Sequence, residues 1–164
     1  FLMLRRASLL ALTFVFLTAL FGALVAGLKA GLIYNTFPLM GDGLIPRELL
    51  TQTPWWRDLL EKPVSVQFLH RCFALTTTLL CGGLWVYQRQ CHVPASLEAA
   101  FQGMLITLFL QVSLGIITLL FQVPLVCALL HQGVAFLLFG SLVYILFALS
   151  VSGALPPRLH ADRP

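Results

Sequence analysis

Charge is what this chain has least of. Only 10% of its 164 residues are Asp, Glu, Lys or Arg, against about 25% in ordinary soluble domains, and the mean hydropathy is +0.94. That shortage excludes a soluble globular fold and puts the chain in the membrane class. The net charge of +4 is small and scattered, so no surface is basic enough to bind nucleic acid. Four cysteines occur, Cys72, Cys81, Cys91 and Cys127, but never as C-x-x-C, so no zinc or thiol-redox motif is signalled. They read as small apolar residues within helices. An initiating methionine is also missing: the chain opens on Phe1, with Met3 followed at once by Arg5 and Arg6. It reads as a piece of something longer. The first apolar stretch is too long for a signal peptide and lacks its cleavage site.

Long hydrophobic runs are what the chain has instead. Crossing a bilayer takes about 20 mostly apolar residues. Stretches 9–28, 66–87, 99–119 and 125–150 qualify, with Arg71 the main charged intrusion. The expected fold is therefore an all-α membrane protein, one four-helix transmembrane bundle over residues 1–164. An outer loop over 30–65 is long enough to suggest function, whereas the connections at 88–98 and 120–124 are short. Arg5, Arg6, Arg89, Arg158 and Arg163 all fall on one side of this layout, which is then the cytoplasmic (or matrix) side. The long loop carries Lys29, Arg47, Arg57 and Lys62, balanced by Asp42, Glu48, Asp58 and Glu61. Within it, Thr53-Pro54-Trp55-Trp56 predicts a helix start, with Thr53 as cap and Pro54 at the first helical position. The helix continues through Glu61, and its paired tryptophans favour the headgroup zone over the outer end of the bundle.

Polar residues inside the spans are few and informative. His70 and His131 lie near the same end of spans two and four, which run in the same direction, so both imidazoles share a level. A buried imidazole in a membrane span usually marks a site. Two at one depth can clamp a flat, metal-bearing ring from both faces, and haem iron takes imidazole as an axial ligand. Arg71 beside the first points toward the outer interface, where it could pair with haem propionates or reach the headgroups. Gln132 follows the second. Zinc fits less well, because no third and fourth ligand share that depth. A satisfied polar contact between helices is the plain alternative for the histidines. Span one repeats small residues at Ala19, Ala23, Gly27 and Gly31, with a second row at Gly22, Ala26 and Ala30. Such stripes suit close helix packing or a slot for a planar ring. In span three Thr107, Gln111, Gly115, Thr118 and Gln122 share one face, which must look into the bundle.

Local sequence adds a family resemblance. Gly27-Leu28-Lys29-Ala30-Gly31-Leu32-Ile33-Tyr34-Asn35-Thr36-Phe37-Pro38-Leu39-Met40-Gly41 resembles the signature of the haem A synthase family, needed for cytochrome oxidase assembly. Gln67-Phe68 with His70-Arg71, Gln111-Val112-Ser113-Leu114-Gly115-Ile116 with Thr118-Leu119-Leu120, and His131-Gln132 resemble the motifs that follow. The resemblance is to the family's C-terminal half, one of two four-helix bundles in an eight-helix pseudo-symmetric fold. It implies that His70 and His131 are the axial ligands of a permanent b-type haem. It also implies an oxidoreductase that converts a methyl group of haem O to a formyl, giving haem A. The acidic residue thought to assist catalysis belongs to the other half, so no catalytic residue is assigned here, and Glu48, Asp58 and Glu61 are not carried over. The loop cysteine pair of some members is missing from 30–65. Expected partners are haem O, membrane lipid, and a second copy or an N-terminal half. A bacterial plasma membrane is expected rather than a mitochondrial inner membrane, from the short tail 156–164. Two other readings stand beside it: a non-enzymatic haem-binding or electron-transfer assembly subunit, and a small-molecule transport path. Spans one–two and three–four echo each other, each second span opening with a histidine.

Overall fold

A computed structural model of the chain describes residues 1–49, 51 and 53–154. Arg158, Arg163 and the tail 156–164 lie outside the described residues. Among the described residues, five α-helices and one 3-10 turn follow in order: α1 Leu2–Gly27, the turn Ala30–Leu32, α2 Trp55–Glu61, α3 Pro63–Gln88, α4 Ala95–Leu120 and α5 Leu125–Ala154. Among the described residues, β pairing is limited to one bridge between Met40 and Gly43. Four helices among the described residues are long and apolar enough to cross a membrane: α1, α3, α4 and α5 as far as Val151. This is an all-α, multi-pass membrane protein.

Each long helix extends past the apolar stretch that announced it. α1 takes in Arg5 and Arg6, and α3 starts at Pro63, where a missing N–H costs nothing because that group has no intrahelical partner. Hydropathy reports the thickness of the hydrocarbon, whereas the backbone ladder continues until something stops it. The loop helix forms as expected over Trp55–Glu61, but its start differs. Pro54 itself is the cap, in extended backbone (φ −75°, ψ 147°), and no side chain caps the helix. Thr53 lies one residue too early to do so.

α1 packs most closely on α3, and α4 on α5; α1–α5 and α3–α4 contacts close the ring. α3 and α5 are therefore diagonal neighbours across the bundle. α1 and α4 run toward the long-loop end, and α3 and α5 run back. Large apolar side chains such as Phe16, Leu79, Phe109 and Phe136 clothe the outside, where lipid accepts them.

The packed core fills only half the bundle. It consists of Leu4, Ala11 and Val15 from α1, Cys81 and Leu84 from α3, Leu97, Phe101, Met104 and Leu108 from α4, and Leu138, Leu142, Ile145 and Leu149 from α5. Nearer the long loop, no residue in 16–27, 68–76, 109–120 or 125–137 is fully buried. Both histidines sit in this loosely filled half.

A buried carboxylate ties the loop helix to α3. Asp58 is fully buried. It accepts hydrogen bonds from the Ser65 hydroxyl and the Thr51 backbone N–H (3.0 Å), and it pairs with Lys62 at 3.5 Å. Lys62 also donates to the Glu48 carbonyl and to the Thr51 hydroxyl (2.6 Å). Removing one member of such a set leaves the others buried and unmatched, at roughly 3 kcal/mol or more. Asp58→Ala is expected to open the loop to limited proteolysis between 47 and 62, with the four long helices retained by circular dichroism. The exposed Arg57–Glu61 pair contributes little, and Glu61→Gln should leave the cleavage rate unchanged.

Candidate functional site

The two histidines are held by the same device in two hairpins. In the first, His70 of α3 packs on Gly22 of α1, where an added Cβ would lie 3.2 Å from the imidazole Cε1. Its Nδ1 lies 3.1 Å from the Thr18 carbonyl. In the second, His131 of α5 packs on Gly115 of α4, where a Cβ would lie 2.8 Å from Cε1, and its Nδ1 lies 3.1 Å from the Gln111 carbonyl. Each carbonyl comes four residues before its glycine, one helical turn down the same face. Each histidine lies seven residues after a proline, Pro63 or Pro124, at the start of its helix.

This geometry settles the tautomer of each ring. A carbonyl can only accept, so Nδ1 carries the proton and donates, and the Nε2 lone pair is left available. Metal-bound histidines are held in this way, with one nitrogen on iron or zinc and the other donating to a fixed acceptor. The glycines let the Cε1 side of each ring come close to the neighbouring backbone. Among the described residues, no three His, Cys, Asp or Glu side chains cluster as a ligand set. Two imidazoles suit a metal whose remaining ligands arrive with it, as porphyrin nitrogens do.

The hairpins repeat in the same orientation, α1 with α4 and α3 with α5. His70 and His131 thus stand on diagonal helices, each seven residues after the proline at the start of its helix. Transporters built on inverted repeats place their sites at broken helices near mid-membrane, whereas α1, α3, α4 and α5 are each continuous.

Arg71 is engaged by the loop. Its guanidinium donates to the carbonyls of Tyr34 (2.9 Å), Thr36 (3.0 Å) and Leu39 (3.2 Å), while its Nε is buried without a hydrogen-bond partner. Gln67 donates to the Tyr34 carbonyl as well (3.0 Å). Asn35 donates to the Leu119 carbonyl at the end of α4 (2.8 Å), joining the loop to the second hairpin. The segment 34–39 thus lies across both hairpins at the histidine end.

Farther out, the Tyr34 hydroxyl donates to the Glu48 carboxylate at 3.0 Å. The Glu48 backbone N–H, then Tyr34, holds this carboxyl below its ordinary range; the same hydrogen bond, foremost, raises the Tyr34 phenol. A lowered carboxylate contributes above its unfolded pKa and loses that contribution as pH falls through the folded value. A raised phenol contributes below its unfolded pKa and loses it as pH rises through the folded value. Loop protection in hydrogen exchange should therefore be flat through neutral pH and fall in acid below the usual carboxylate range. Glu48→Gln should remove the part of that acid limb carried by the Tyr34 contact, leaving the part carried by buried Asp58.

The small-residue rows divide differently from expectation. Ala19, Ala23 and Gly27 are exposed whereas Gly31 of the same row is buried, and Gly22, from the second row, meets the imidazole. On α4, Gln111 and Gly115 face His131. Thr107 bonds back to the Gly103 carbonyl, and Gln122 is exposed in the turn at φ 59°. Thr18 had not stood out, since a backbone carbonyl has no side-chain signature. The paired spacings Thr18-x-x-x-Gly22 and Gln111-x-x-x-Gly115, with Pro-x6-His in each following helix, were the signal that could have found it.

Comparison with known proteins gives the family. The family model for cytochrome oxidase assembly protein, COX15-CtaA, matches residues 2–143. The heme A synthase of Brucella ovis is 46% identical over 130 residues, 79% of this chain and 34% of that protein. The heme A synthase of Nitrosospira multiformis is 43% identical over 131 residues, 80% of this chain and 37% of its own length. That of a Wolbachia endosymbiont of Brugia malayi is 43% identical over 122 residues, or 74% and 34%. The chain thus spans about a third of the length of these curated relatives. No solved structure matches. With the match running through both histidine hairpins, the chain belongs to the COX15-CtaA family of cytochrome oxidase assembly proteins.

Proposed function

We propose that this chain is the b-haem module of a haem A synthase, the C-terminal four-helix half of the family's eight-helix fold, in a bacterial plasma membrane. His70 and His131 would hold the haem iron, each through the Nε2 that its Nδ1 hydrogen bond leaves available. The observation that carries this reading is the repeated hold on each ring: Nδ1–H donated to a carbonyl one turn below a glycine, in two hairpins of the same orientation. The loosely filled half-bundle at that level supports it. Arg71 keeps its Nε for a propionate carboxylate while its other nitrogens fasten the loop.

Haem iron with imidazole on both faces supplies one-electron transfer and leaves no ready position for oxygen. The chain's own residues keep both imidazoles neutral and oriented, and hold segment 34–39 across the loop end. On this reading, the oxidation of the haem O methyl group to a formyl takes place in another bundle, and this module exchanges electrons with it. A non-enzymatic electron-transfer subunit would use the same site. What favours the enzyme is the similarity to heme A synthases at 43–46% identity.

The test is to purify the chain in detergent, add haemin and record a reduced-minus-oxidised spectrum. A low-spin b-type spectrum at one haem per chain is expected. Failure to take up haem overturns the reading. Haem extracted after expression with haem O present separates the two uses: haem A formed in the presence of an N-terminal half supports the synthase, and its absence leaves the electron-transfer subunit.

A further inference from the structure

The two hairpins differ at one position in their repeat. Where the first has Thr18, the second has Gln111. Thr18 turns its hydroxyl away from the histidine, to the Phe14 carbonyl (2.7 Å) and the Thr77 hydroxyl (2.7 Å). Gln111 reaches back: its Nε2 lies 3.3 Å from Nε2 of His131. Because the His131 Nδ1–H is already donated to the Gln111 carbonyl, its Nε2 can only accept, so the carboxamide NH2 is the donor. The other carboxamide atom, Oε1, is buried without a partner. One residue therefore occupies both nitrogens of His131, and its side chain is left half-satisfied by doing so. Among the described residues, Nε2 of His70 has no such cover in the corresponding place.

We propose that Gln111 is a positioning residue that caps the Nε2 lone pair of His131, making His131 the second axial ligand to engage and the first to let go. The proposal rests on the haem reading above and adds an order of ligation to it. His70 would ligate first, through a lone pair that carries no hydrogen bond among the described residues. His131 would ligate only after its hydrogen bond from the Gln111 amide breaks and the carboxamide turns aside. The exchange is one hydrogen bond for one coordinate bond, with no change in protonation or oxidation state. The cap keeps a neutral, lone-pair-bearing imidazole satisfied inside the bundle until it is needed. Giving up a neutral hydrogen bond of this kind is worth roughly a five- to tenfold change in a rate or equilibrium.

Stopped-flow mixing of the metal-free chain with haemin reads the order directly. In the wild type, a five-coordinate high-spin species should form first and convert more slowly to the low-spin form. Gln111→Thr, which copies the first hairpin, and Gln111→Met, which keeps the volume without a donor, should speed that second step roughly five- to tenfold. Nitrogen NMR of the metal-free chain supplies an independent readout that needs no haem. Nε2 of His131 should show the shift of a hydrogen-bond acceptor and Nε2 of His70 should not, and the difference should vanish in Gln111→Met. Low-spin binding in the wild type with an unchanged second step in both variants overturns the cap alone. A chain that never becomes low-spin with haemin defeats the haem reading as well.

Discussion

The His131→Ala chain is expected to lose its low-spin haem spectrum and show a high-spin, five-coordinate form held by His70. The loss of affinity should exceed the roughly 10–100-fold typical of removing only a ligand's hydrogen-bond partner. Two features of the structure bear on the size of the effect. His131 is bonded through Nδ1 to the Gln111 carbonyl and rests on Gly115, so its replacement by Ala leaves a gap of imidazole size. Imidazole added to the buffer should enter that gap and restore the low-spin spectrum. Rescue by the free ligand separates a lost iron bond from a collapsed fold. His70→Ala should behave alike beside Gly22, because the same carbonyl-and-glycine hold applies there.

The second large effect falls on a residue with no side chain. Gly115→Ala places a Cβ 2.8 Å from Cε1 of His131, well inside the usual carbon contact of about 3.5–4.0 Å. The imidazole must move by several tenths of an ångström, against the hydrogen bond that fixes Nδ1. Axial ligands tolerate little of that, since productive geometry is held to within about 0.5 Å. Helix propensity acts in the opposite direction, because Ala is favoured over Gly by about 1 kcal/mol within a helix. The expected result is a chain as helical as the wild type, with low-spin haem binding down about tenfold or more. Gly22→Ala, at 3.2 Å from Cε1 of His70, should be milder. Gly133→Ala is the control: it sits on α5 two residues from His131, has nothing within 4 Å of its Cβ position, and should bind normally.

What the sequence disclosed, and what it hid, follows from the solvent. Apolar runs against a bilayer need about 20 residues, so four spans were legible. Which face of α1 looks inward was not. Lipid is as apolar as the core, so neither face of Ala19, Ala23 and Gly27 or of Gly22 and Ala26 is marked by polarity. The first row divides, with Gly31 buried and the other three exposed, and the glycine that meets His70 lies in the second row. Arg71 was visible as an intrusion, but its loop partners Tyr34, Thr36 and Leu39 lie 37, 35 and 32 residues away, and no local pattern announces them. Thr18 was hidden for a different reason: what it offers His70 is a main-chain carbonyl, which every residue has. Gln111 and Gly115 were legible as one polar face of α4, since a carboxamide in hydrocarbon must find a partner. That the partner is His131 required the packing of α4 on α5.

The most direct measurement is near-infrared magnetic circular dichroism of the oxidised, haem-loaded chain, which reports the identity of both axial ligands. The account predicts the charge-transfer band of two neutral imidazoles, present in the wild type and absent in both His70→Ala and His131→Ala. A low-spin band that survives either substitution, or a wild-type spectrum of a single nitrogen ligand, would contradict it.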